Sequence, residues 1–113
     1  MTLRSLLVLV FLGLSLTGCK SNSSSSEPDH VGKQTYMKYC VTCHAAGIAD
    51  APKFGDLEEW QSRIDKGREE LLKTTIEGIP PGMPVKGLCM GCTDQELADA
   101  IDYMLDAVAD SPQ

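Results

Sequence analysis

Strand patterns, aromatic side chains, histidines and long apolar runs are all in short supply in this sequence, and each shortage narrows what the chain can be. No stretch alternates apolar and polar residues over the length of a strand, which argues against β-rich folds and against the βαβ unit of thioredoxin-type domains. The apolar run from Ser5 to Leu16 is too short to cross a bilayer as a mature helix. Ten basic residues stand against 16 acidic ones, a net charge of −6, which argues against nucleic acid as a partner. Aromatic residues make up only 5% of the chain, so few large side chains are available to fill a core. The part that folds, His30 to Val108, is about 80 residues and one domain, small for a self-sufficient core.

What is present is more telling. Cys40-Val41-Thr42-Cys43-His44 has the form Cys-x-x-Cys-His, the attachment site for a c-type haem. Two thiols one short turn apart can add to the two vinyl groups on one edge of a porphyrin. The histidine directly after the second thiol then lies under the iron and binds it through an imidazole nitrogen. A covalently held haem would also supply the apolar bulk that the scarce aromatics do not. Two other readings compete. A thioredoxin-like dithiol needs a strand before Cys40, and the pattern there is helical. A zinc site would pair Cys40 and Cys43 with Cys89 and Cys92, but 45 residues (44–88) intervene, where zinc modules leave roughly 12 to 20.

The first residues speak to compartment. Met1-Thr2-Leu3-Arg4 and the apolar run after it read as a signal peptide. Leu16-Thr17-Gly18-Cys19 resembles the lipobox of bacterial lipoproteins, which implies cleavage after residue 18 and lipid on Cys19. An ordinary secretory signal is the alternative. Residues 19–29 hold five serines, Asn22 and Pro28 and no apolar residue to bury, as a flexible tether would. Lys20 after the acylated cysteine, in place of aspartate, points to the outer membrane. The protein is thus expected at a periplasm-facing membrane surface, with a folded domain over 30–113. Of five cysteines, one takes lipid and two take haem. In an oxidising compartment Cys89 and Cys92 are then expected to form a disulfide. So small a ring supplies only about 2 kcal/mol by chain entropy, so its job is to fix a turn.

The expected fold is all-α, about four helices around the haem. His30 to Tyr39 forms a first helix running into the haem motif. Asp56 and Glu59 form a capping box before Leu57, Trp60 and Ile64, with a stop at Gly67. Glu69 to Glu77 ends at Gly78. Thr93 and Glu96 cap a last helix with Leu97, Ala100, Ile101, Met104, Leu105 and Val108 on one face. For a sixth iron ligand, His30 reads as a solvated helix start. Met37 and Met104 fall within helical patterns, and Met90 lies inside the Cys89–Cys92 turn. Met83 sits in Ile79-Pro80-Pro81-Gly82-Met83-Pro84, a stiff loop suited to presenting one thioether. A His44/Met83 pair leaves no open iron position, and the thioether raises the potential, which suits electron transfer rather than catalysis.

Together these residues resemble a class I cytochrome c, and within that group the cytochrome c5 family. The likeness runs through Gly32, Tyr36 and the haem motif, then Ala51-Pro52-Lys53-Phe54-Gly55-Asp56, Trp60, Arg63-Ile64 and Gly67. It continues through Met83-Pro84-x-Lys86-Gly87-x-Cys89-x-x-Cys92 to Asp94-x-Glu96-Leu97, Ile101, Tyr103 and Met104. The resemblance implies that the Pro52 carbonyl accepts a hydrogen bond from His44. It implies that Gly32 lets the first and last helices cross closely, with Tyr103 at the crossing. It also implies that Trp60 lies by the haem propionates, its indole N–H or Arg63 bonding to them; plain core burial of Trp60 fits equally. The implied function is a non-enzymatic monohaem carrier shuttling single electrons between redox proteins of a bacterial respiratory chain. The alternatives are a haem enzyme or gas-binding cytochrome with an open iron site, and a non-haem zinc or dithiol module. Without residues 1–18 the chain loses Arg4 and no acid, so −6 becomes −7. The six acids from Asp94 to Asp110 read as a solvated helix face, and Lys53 and Lys86 as cations available to steer an acidic partner.

Overall fold

The computed structural model describes residues 29–112. The expected leader, Cys19 and all of the tether but Asp29 lie outside the described residues. Four helices carry the fold, and among the described residues the nearest approach to a strand is a single antiparallel bridge between Ile79 and Met83.

Helix α1 spans 33–44 as Lys33–Thr35, a π-helical turn Tyr36–Cys40, and Val41–His44. It begins three residues later than the periodicity suggests, because the His30 carbonyl accepts from Lys33 N–H at 2.9 Å and His30 Nδ1 accepts from Gly32 N–H at 3.1 Å. It also continues past Tyr39 through the whole haem motif. In the wide turn Val41 N–H reaches back five residues to the Tyr36 carbonyl, a local departure of the kind that concentrates at functional sites.

Helix α2, Leu57–Ile64, is capped by Asp56, whose carboxylate accepts from Glu59 N–H at 3.1 Å. The expected box is only half made. The Glu59 carboxylate turns instead to Lys53, accepting from its backbone N–H at 2.7 Å and its ammonium at 2.9 Å. Asp56 N–H is already satisfied by the Lys53 carbonyl. Helix α3, Arg68–Glu77, ends at Gly78, whose φ of +77° suits glycine. Helix α4, Asp94–Ala109, carries a complete capping box between Thr93 and Glu96.

The buried face of α4 organises the rest. Ile101, Met104 and Val108 pack with Tyr36 of α1 and Trp60 of α2. Leu97, Cys89 and Cys92 form a second cluster under Tyr39, Leu72 and Ile76. Where α1 enters, a Cβ on Gly32 would lie 1.8 Å from the Asp99 carbonyl oxygen, so only glycine permits this crossing. Tyr103 seals it, with ring centroids 5.3 Å from Tyr36 and 5.2 Å from Phe54. Arg68 donates two hydrogen bonds to Asp102, each 2.6 Å, tying α3 to α4.

Candidate functional site

The site is assembled at the end of α1 by the loop that follows it. Gly47, at φ +75°, turns the chain after the helix, and residues 48–54 fold back along it. Phe54 N–H then donates to the His44 carbonyl at 2.7 Å, while His44 Nδ1 lies 2.9 Å from the Pro52 carbonyl oxygen. A carbonyl only accepts, so Nδ1 carries the proton and the lone pair of the neutral ring is on Nε2. This reciprocal clasp fixes tautomer and ring orientation together. His44 is 7% exposed. Burial lowers its pKa, the Pro52 bond partly opposes this, and the nearby Arg63 charge lowers it further. The imidazole is thus held neutral, the form that binds iron.

Cys40 and Cys43 stand one turn apart with free thiols. Burial, with a smaller contribution from Cys43, pushes the Cys40 thiol up to about 11. An exchange-active dithiol needs the opposite shift, which counts against the thioredoxin-like reading. Cys89 and Cys92 are bonded to each other, which removes the second half of any four-cysteine zinc site.

Trp60, 4% exposed, faces His44 with near-parallel rings, 27° apart, at a centroid distance of 6.0 Å. Its indole N–H donates to the Lys53 carbonyl at 2.8 Å. That donor is therefore engaged within the protein rather than offered to a propionate, and Trp60 acts as a wall and a brace for the 52–56 loop. Arg63 uses one Nη1 N–H on the Glu59 carbonyl, leaving its other donors as the guanidinium near this edge of the site.

Met83 is half-buried. Its backbone exchanges two hydrogen bonds with Ile79, 2.8 and 2.9 Å, closing the Pro80-Pro81-Gly82 loop. A Cβ on Gly82 would meet the Ala49 carbonyl oxygen at 2.8 Å, so this loop rests against the segment that also carries Pro52. The other candidate side chains lie in different settings. His30 holds Asp106 at 3.1 Å beside Tyr103, Met104 is core, and Met37 and Met90 are 54% and 69% exposed. Ile48, Ile79 and Val85, from the loops on either side, expose about half of their surface, apolar area suited to a porphyrin. The thiol pair, the oriented imidazole and this exposed apolar area fit a covalent haem.

One role in the site had no legible signal: the Lys53 carbonyl accepts from both Asp56 N–H and the Trp60 indole N–H, which follows from backbone folding alone. The cations expected to be free are paired: Lys53 with Glu59 at 2.9 Å, and Lys86 with the Cys92 carbonyl at 3.1 Å and Asp94 at 3.9 Å.

An all-helical fold closed around a Cys-x-x-Cys-His helix with a clasped proximal imidazole defines a class I c-type cytochrome. Residues 27–104 match the family model described as cytochrome c oxidase, cbb3-type, subunit III. Cytochrome c5 of Ectopseudomonas mendocina is 45% identical over 69 residues, 59% of this chain and 78% of that protein. Cytochrome c5 of Azotobacter vinelandii is 41% identical over 75 residues, covering 65% and 89%. Cytochrome c-555 of Prosthecochloris aestuarii is 36% identical over 84 residues, covering 68% and 85%. A chain from the crystal structure of an electron transfer complex of nitrite reductase with cytochrome c superposes with a TM-score of 0.66 at 38% identity, over 71% of this chain and 96% of that one. Within the class, the chain belongs to the cytochrome c5 family. It is a monohaem electron-transfer cytochrome with one covalently bound haem c.

Proposed function

We propose that the iron is closed on both sides by His44 and Met83, and that the protein is a carrier rather than an enzyme. Haem c, when bound, supplies an iron that alternates between two oxidation states. The residues of this chain hold it: Cys40 and Cys43 by thioethers, His44 through Nε2, with Pro52 orienting His44 and Trp60 and Arg63 walling the same side. The observation that carries the sixth-ligand assignment is the closed Ile79–Met83 loop, which fixes the backbone of the one methionine among the described residues that is neither core nor freely exposed. A closed iron has no place for peroxide or a gas, and the thioether raises the potential.

The partners in this reading are redox proteins of a respiratory chain, reached at the exposed haem edge. The likeness to a chain from a complex with nitrite reductase supports docking of that kind. Residues 1–18 act as a lipoprotein signal, and Cys19 with residues 20–29 tethers the 30–113 domain to a periplasm-facing membrane.

Met83→Ala tests the ligand assignment. The oxidised protein is expected to lose the long-wavelength charge-transfer band of a sulfur–iron bond, and the reduced protein to take up carbon monoxide. The potential is expected to fall on the order of a hundred millivolts, within the roughly 0.8 V range that axial ligands span. An unchanged band in the variant would exclude Met83.

A further inference from the structure

Between Met83 and the disulfide the chain makes an unusual turn. Lys86, Gly87 and Leu88 lie consecutively in the left-handed region, with φ of +53°, +56° and +70°. Glycine adopts this freely, but lysine and leucine do not, and such residues persist only where their surroundings over-determine them. The turn has three backbone ties, Gly87 N–H to the Pro84 carbonyl at 3.1 Å, Cys89 N–H to the Lys86 carbonyl at 3.0 Å and Met90 N–H to the Leu88 carbonyl at 3.0 Å. All three are local and would close equally well in a loop that had drifted as a unit.

The Lys86 side chain makes the longer-range tie. Only 23% exposed, it folds over the turn and donates to the Cys92 carbonyl at 3.1 Å, with Asp94 at 3.9 Å. Cys92 is fixed in turn, 8% exposed, disulfide-bonded to Cys89, and clustered with Leu97 of α4. The disulfide joins residues 89 and 92 but ties neither of them to Met83. The ammonium of Lys86, three residues beyond Met83, supplies that connection. The turn it holds packs against α3 and against the π-helical part of α1, which ends on the first haem cysteine, Cys40.

We propose that Lys86 is a positioning residue for Met83: its ammonium, anchored on the Cys92 carbonyl, holds the left-handed turn that sets how the methionine loop meets the haem side of α1. This rests on Met83 as the sixth ligand. It also accounts for a cation that is folded inward when its charge would be better solvated outside.

The test uses the full-length holoprotein and two variants, Lys86→Met and Lys86→Arg. The readouts are the charge-transfer band of the oxidised form, carbon monoxide binding to the reduced form, and the melting temperature. Lys86→Met is expected to weaken the band and raise carbon monoxide affinity roughly tenfold, the worth of one charged hydrogen bond, while Lys86→Arg keeps the donor and stays within about twofold of wild type. If Lys86→Met does not mature with haem, Lys86→Gln gives the same comparison with a neutral donor and an intermediate shift. A Lys86→Met protein that melts earlier but keeps the wild-type band and carbon monoxide affinity would overturn the proposal, leaving Lys86 purely structural. A wild-type protein without the band would overturn the Met83 assignment itself, and this inference with it.

Discussion

His44 makes the logic of the site visible in a single side chain. A buried imidazole has two nitrogens to satisfy, and the structure spends one on the Pro52 carbonyl so that the other is left for metal. The ring that stacks beside it, Trp60, is likewise committed, through its N–H on Lys53. Trp60→Phe removes that donor but keeps an aromatic wall. Because the Lys53 carbonyl still accepts from Asp56 N–H, the cost is expected at the low end for a lost hydrogen bond, about 1 kcal/mol. A urea titration reads this as an earlier midpoint at unchanged slope, with the visible spectrum of the haem preserved. A spectrum that changed as much as the midpoint would mean that the indole N–H serves the haem directly.

At the scale of elements, the helices were legible wherever side chains carried their own instructions. Thr93 and Glu96 cap α4 as their spacing requires, and Gly78 ends α3. The misses share one cause, contacts that the local pattern does not specify. The start of α1 is displaced by His30, which accepts from Lys33 and Gly32 N–H and is itself held by Asp106, 76 residues away. The half-made box on α2 reflects Lys53 arriving from the folded-back loop to take Glu59. The π-helical turn, and the left-handed stretch at Lys86 to Leu88, have no local signature at all. Of the site, the thiols, His44 and Pro52 were readable from motif and resemblance, whereas the engagement of the Trp60 N–H and the pairing of Lys53 and Lys86 were not. Two predictions belong here. Gly32→Ala drives a methyl into the Asp99 carbonyl of α4, backbone that cannot step aside, and is expected to cost on the order of 3 kcal/mol or more. A thermal melt showing a loss of under about 1 kcal/mol would mean the helices can part cheaply there. The second concerns the Arg68–Asp102 tie between α3 and α4. The hydrogen bonds from Arg68 hold the Asp102 carboxyl below its ordinary pKa. Its contribution is therefore complete at neutral pH and disappears as the pH falls through that lowered value. Since both groups are partly exposed, Asp102→Asn is expected to cost only about 0.5–1 kcal/mol at pH 7. The two proteins are expected to converge only in stronger acid, below the lowered pKa of Asp102. A gap that persisted in acid would assign the loss to packing.

At the scale of the whole molecule, two small clusters of buried side chains are joined by α4, and the haem is the natural third. Its absence from the side-chain inventory explains why so few aromatics suffice. The lipid anchor proposed at Cys19 also acts on the molecule as a whole. Expressed with its leader in a bacterium that processes lipoproteins, the wild type is expected in the membrane fraction. Cys19→Ser is expected in the soluble periplasmic fraction with an unaltered haem spectrum. Wild type recovered free in the periplasm would refute the anchor. The crossing of Gly32 over Asp99, finally, sets an order of events. It joins positions 67 residues apart, nearly the two ends of the domain, and long-range closures of this kind form late. A chain emerging N-terminus first shows its thiols at 40 and 43 well before the helix that will cover Tyr36 has been made. Chemistry that linked them to porphyrin would then have an interval in which to act on open chain, before the fold shut over the bond.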